Sequence, residues 1–98
     1  MTIRIEKQDD KLLLAPEGRL DTITAPDLEK AVKENLDGVK ALTFDLSDLE
    51  YVSSAGLRVL LSAQKAMNGL GEMKVCNVNE TIMEIFDVTG FSDILTIE

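Results

Sequence analysis

Apolar and polar residues alternate near the start of the chain. In TIRIEKQ, charged or polar residues separate Ile3 and Ile5, the two-residue period of a half-buried strand. KLLLAPEG is an apolar run stopped by Pro16 and Gly18, and QDDK between the two reads as a turn. The pattern predicts a β-hairpin with strands near 2–8 and 11–17. The period then changes. Leu28, Val32 and Leu36 recur at i, i+4 and i+8, one face of a helix. Asp21, Thr22 and Thr24 are candidate caps, Pro26 suits the first turn, Asp27 and Glu29 suit its positive end, and Gly38 stops it. VKALTFDL predicts a buried strand near 39–46. SAGLRVLLSAQKAMNGLG is the strongest helix, with Leu57, Leu60, Leu61 and Met67 on one face and Gly69 and Gly71 at its end. EMKVCNV reads as a strand. Asn77 or Asn79 caps a third helix, with Ile82, Ile85 and Phe86 inward and Gly90 near its end. DILTIE closes as a last strand.

The predicted order is β-β-α-β-α-β-α-β over one domain, residues 1–98. The alternation in the second half implies right-handed crossovers. The fold class is therefore α/β, a mixed, mostly parallel sheet with helices packed mainly on one face. With aromatics at 4%, the core must be mostly Leu, Ile, Val and Met.

A net charge of −8 disfavours nucleic acid and anionic membranes as partners, since phosphate binding needs clustered Lys and Arg. No apolar run approaches the ~20 residues of a membrane span, and the charged, alternating start does not read as a signal peptide. Cys76 is the only cysteine, so no internal disulfide forms and a reducing cytoplasm is the expected location. The chain has no histidine. That excludes a Ser-His-Asp triad, a Cys-His dyad and histidine metal ligands. Neither a phosphate-binding loop nor a dinucleotide fingerprint is present, so no cofactor is expected.

The chemistry that remains concentrates in YVSSAGLRVL, where Ser53 and Ser54 sit between an apolar run and the strong helix. The strand-to-helix edge is where open α/β sheets engage ligands and partners, and a helix amino end favours an anion. Helix capping is one reading of both serines. Gly56 adds nothing to helix stability, which suggests close approach of another backbone.

DLSDLEYVSSAGLRVLL resembles the signature of the STAS domain, the family of bacterial anti-sigma-factor antagonists. EGRLD at 17–21 and FDVTGFSDIL at 86–95 resemble two further family segments, in the right order. The resemblance implies a regulatory binding module rather than an enzyme. In the family, a partner anti-sigma factor with serine kinase activity phosphorylates a serine at the start of the second helix. The usual motif is Asp-Ser-[Ser/Thr]-Gly-Leu. Aligned on Gly56 and Leu57, the acceptor is Ser54, with Ser53 the lesser candidate. Ser53 stands where the motif has Asp, and Ala55 where it has Ser or Thr. The resemblance further implies that the unphosphorylated form binds the anti-sigma factor, that phosphorylation releases it, and that a serine phosphatase resets it. ATP would belong to the kinase. The implied contact residues are Asp21, Ser53, Ser54, Ala55, Gly56, Leu57 and Arg58.

Other readings stay open beside these. Asp21 is equally a cap for the helix that follows. Arg58, one turn beyond Ser54, is either a phosphate partner or a solvated arginine. Asp45 and Asp48 are a strand-end and turn pair, or else Asp45 orients the serine loop or helps hold a metal for the kinase reaction, although the spacing fits no known metal loop. Met67, Met73 and Met83 read mostly as core, with Met83 off the inner face. Cys76 reads as a small hydrophobe in a buried strand. Two other functions compete: a scaffold or docking module with no phosphoswitch in a signalling or transport complex, and a small enzyme or a small-ligand or nucleotide carrier using the helix-end anion site.

Overall fold

The computed structural model describes residues 1–98. The hairpin forms as β1 (Ile3–Gln8) and β2 (Lys11–Pro16), turning at Asp9, whose backbone is left-handed at φ 57°. After β2 come β3 (Gly18–Leu20), α1 (Ala25–Asn35), β4 (Ala41–Asp45), β5 (Leu49–Val52), α2 (Ser54–Met67), β6 (Glu72–Cys76) and α3 (Glu80–Thr89). The main sheet has the order β1-β2-β4-β6; β1 is antiparallel to β2, and the other pairs are parallel. The parallel register sets Leu12 beside Leu42 and Leu42 beside Met73, then Leu14 beside Phe44 and Phe44 beside Val75. These six side chains are buried and form the inner face of the sheet. The helices cover it with Leu28 and Val32 of α1, Leu57, Leu60, Ala63 and Met67 of α2, and Ile82 and Phe86 of α3.

The outward face of the same strands is polar. Arg4 reaches Asp45 at 3.5 Å, although β2 lies between their strands. The residue paired with Arg4 is Ala15, small enough to be crossed and only 4% exposed.

The predicted three helices and parallel core are present, with two differences in the strands. Two short strands, β3 and β5, pair with each other as a separate parallel sheet. The serines therefore follow β5 and not the buried strand 39–46. The last predicted strand is also reduced. Phe91–Asp93 form a 3-10 turn after Gly90, whose φ of 81° ends α3, and the strand shrinks to one bridge between Val75 and Ile97. Residues 91–95 bond to their own turn, Leu95 N–H to Phe91 O at 2.9 Å, so only the final residues reach the edge of β6.

Met67 and Met73 lie in the core and Met83 is half-buried. Cys76 is not in the core. It stands half-buried on the outward face, level with Asp45. Partial burial raises its thiol above the usual range, and the Asp45 and Glu98 carboxylates reinforce this. No helix is long and apolar enough to cross a membrane.

Candidate functional site

The small parallel sheet builds the site. Leu20 pairs with Val52, and the Ser53 N–H donates to Leu20 O at 2.8 Å, extending the pair by one rung. Beyond that rung both chains turn into helices: Asp21 leads into α1 and Ser53 into α2. Two helix amino ends thus open on the same edge.

Asp21 fixes the first of these entrances. Its Oδ1 accepts the N–H groups of Ile23 at 3.0 Å and Thr24 at 3.1 Å. The Asp21 N–H donates to Thr24 Oγ1 at 2.9 Å, and that hydroxyl donates to Arg19 O at 2.7 Å. Thr24 holds the N-cap position with no cap bond from its side chain. The Thr24 N–H, and then those of Ile23 and the Thr24 hydroxyl, hold the Asp21 carboxyl below its ordinary range against a smaller opposing effect of burial; Arg19 adds to the lowering.

The two serines differ sharply. Ser53 is the N-cap of α2, with extended backbone (φ −93°, ψ 177°), and its carbonyl accepts the Leu57 N–H at 2.9 Å. Its Oγ is buried and has no hydrogen-bond partner, so it does not cap. Ser54 is the first residue of α2 and is exposed. Side-chain capping therefore accounts for neither residue. No acidic residue lies in the first turn of α2, which leaves its positive end uncompensated.

Gly56 is buried. A Cβ there would stand 2.7 Å from both Leu20 Cγ and Val52 Cγ2. The close approach is by side chains and not, as the sequence suggests, by another backbone. Leu57 is 5% exposed and packs in the core. Gly56 thus seats α2 on the β3–β5 pair, Leu57 points into the core, and neither lies on the exposed edge. Ala55 is half-buried, while Arg58 is exposed and forms no ion pair.

Asp45 is occupied elsewhere. Its Oδ1 accepts from Asn77 Nδ2 and the Ser47 N–H, both at 3.0 Å. The Asn77 bond is the main reason its carboxyl sits below the usual range, with Ser47 and Arg4 adding to it against partial burial. Asp48 is exposed in the β4–β5 turn, and its carbonyl accepts the Gly18 N–H. No group of three or more carboxylates or thiols could hold a metal ion.

Three residues at this edge were missed by sequence reasoning. Arg19 lies 4.5 Å over the ring of Tyr51, and Ile23, in the Asp21 turn, is 85% exposed. The available signals were an apolar residue inside the polar run DTIT and the paired alternation of RL with YV.

The STAS domain profile matches residues 2–98. BtrV of Bordetella bronchiseptica, a candidate anti-sigma factor antagonist, is 31% identical over 99 residues, covering 99% of this chain and 85% of that protein. The anti-sigma-B factor antagonist of Listeria monocytogenes is 28% identical, covering 100% of this chain and 89% of the relative. Among solved structures, an anti-sigma factor antagonist from Mycobacterium paratuberculosis superposes with a TM-score of 0.88 at 26% identity, covering 98% of this chain and 83% of that one. With the family profile spanning residues 2–98 and a 31% identical relative covered over 85% of its length, the chain belongs to the STAS domain family.

Proposed function

We propose that this chain is an anti-sigma factor antagonist that switches partners through the hydroxyl of Ser54. Unmodified, it binds an anti-sigma factor that is also a serine kinase and so frees a sigma factor for transcription. The kinase transfers the γ-phosphoryl group of ATP to Ser54 Oγ, releasing ADP and the hydroxyl proton, and the antagonist lets go. A serine phosphatase restores the hydroxyl with water. All of this takes place in the cytoplasm.

The observation that carries the reading is the contrast at the start of α2: Ser54 is exposed, while the Ser53 Oγ is buried. A kinase reaches one and not the other. The names of the relatives support the antagonist role.

The edge also explains how a phosphate would act. A phosphoserine brings about −1.5 to −2 charges. At a helix amino end that charge is favourable by about 0.3–1 kcal/mol, so the domain stays folded. Arg58, one turn along the helix and unpaired, stands where it can meet the phosphate. A partner seated on the small, uncharged Ser54 surface instead meets a bulky dianion that must be desolvated. Each loss of about 1.4 kcal/mol weakens binding tenfold.

The test is recovery of the chain from its own cells with its partner, with and without ATP, and mass spectrometry of the peptide spanning 41–58. One added phosphate on Ser54, with loss of the partner from the modified form, is expected. A peptide that never carries phosphate, on a chain that still holds the partner, supports the docking module without a switch instead.

A further inference from the structure

We propose that Ile23, with Arg19 stacked on Tyr51 beside it, is the anchor that selects the anti-sigma factor: a partner surface with an apolar pocket for Ile23 and a carboxylate for Arg19. This inference rests on the antagonist reading above.

Three observations carry it. Ile23 is 85% exposed, the most exposed of the chain's large apolar side chains. A single exposed isoleucine is ordinary, but this one sits on a turn fixed by the Asp21 carboxylate through the Ile23 and Thr24 N–H groups. Its backbone is held in place, so little main-chain freedom is lost when the side chain enters a pocket. Arg19 is similarly held, 4.5 Å over Tyr51, and no carboxylate pairs with it. The Asp21 carboxylate feels its charge without forming an ion pair with it, so the guanidinium stays open to a carboxylate of the partner. Tyr and Arg are the residue types that dominate binding energy at interfaces.

Position completes the argument. Neighbouring strands lie about 4.8 Å apart, which sets the spacing of Asp21 and Ser53. Two residues of chain then place Ile23 at most ~7 Å farther on. By the same reckoning Tyr51 lies within ~10 Å of Ser54 along the strand. One side of a standard interface, about 800 Å², is roughly 30 Å across. An interface of that size centred on Ser54 therefore reaches Ile23 and Arg19.

The experiment is calorimetric titration with the anti-sigma factor recovered alongside the unchanged chain, identified and purified. Ile23→Ser is expected to weaken binding at least tenfold, and Val88→Ser, a control at a site 78% exposed on α3, by less than twofold. Arg19→Gln is expected to weaken binding about fivefold and to flatten its dependence on salt. Binding by Ile23→Ser within twofold of the unchanged chain would overturn the anchor. If no anti-sigma factor is recovered with the unchanged chain, or the purified one does not bind it in the titration, the antagonist reading and the anchor fall together. A Ser54→Asp chain that binds as tightly as the original would defeat the switch alone, so the two readings fail separately.

Discussion

A methyl group on Gly56 would stand 2.7 Å from Cγ of Leu20, well inside van der Waals contact. The first turn of α2 can lie against the β3–β5 pair because that methyl is missing. Gly56→Ala gains about 1 kcal/mol of helix propensity and meets a packing clash costing about 1–3 kcal/mol. We expect net destabilisation, with a melting temperature lower by roughly 4–8 °C per kcal/mol. Adding Leu20→Ala should cost less in the Gly56→Ala chain than alone, because the two side chains compete for one space. Strict additivity would show that the contact is unimportant.

Ser53 holds the N-cap position of α2, yet its Oγ is buried without a partner. Truncating a serine that truly caps costs about 1 kcal/mol. Here Ser53→Ala removes a buried polar atom that satisfies nothing. The melting temperature should stay level or rise, and a drop of several degrees would mean that the hydroxyl caps the helix in solution.

Asn79 makes both of its side-chain bonds within the fold. Its Oδ1 accepts the Ile82 N–H at 2.9 Å, capping α3, and its Nδ2 donates to Leu49 O of β5 at 2.8 Å. Asn79→Ala should cost about 2 kcal/mol, one part for the cap and one for the lost donor. Asn79→Ser keeps a capping hydroxyl acceptor without the second bond and should lose about half as much. Urea unfolding of both variants measures the split.

Ser54→Asp places charge at the amino end of a helix whose first turn has no acid. Stability should hold or rise by up to about 1 kcal/mol. Thermal melting checks this independently of any partner, and a lower melting temperature would contradict the claim that a phosphate leaves the domain folded.

Asp21 and Asp45 both titrate below the ordinary carboxyl value of 3.8. The unfolded chain takes up protons at these positions before the folded one does. Their stabilisation is therefore complete above the ordinary value and is lost as pH falls through the lowered folded values. The urea midpoint should drop as pH falls from about 5 through the ordinary carboxyl value and the lowered folded values beneath it. Asp45→Asn should flatten that fall. If the slope is unchanged, the Asn77 and Ser47 bonds do not hold the charge.

The helices and the parallel core were readable in the sequence because their periods are long. Leu28, Val32 and Leu36 repeat often enough to fix a face, and VKALTFDL is apolar enough to be central. The strands β3 and β5, of three and four residues, escaped because so few positions define no period. At the end of the chain, Ile94, Leu95 and Ile97 favour a strand, but the turn at 91–93 consumes the backbone bonds a strand needs. Ser53 and Ser54 are chemically identical, so only the direction of each side chain in the fold decides which one a kinase reaches. Asp21 was legible as a helix-entrance residue, while its place beside Ser53 depends on a pairing the residue pattern does not reveal.

Leu20 is fastened from two sides: its carbonyl takes the Ser53 N–H, and its side chain fills the notch over Gly56. Interiors packed at crystal density yield little. A push on the first turn of α2 therefore bears on Leu20 and, through the three-residue strand β3, on the doorway of α1. The two doorways are thus tied together through Leu20, like the arms of a yoke.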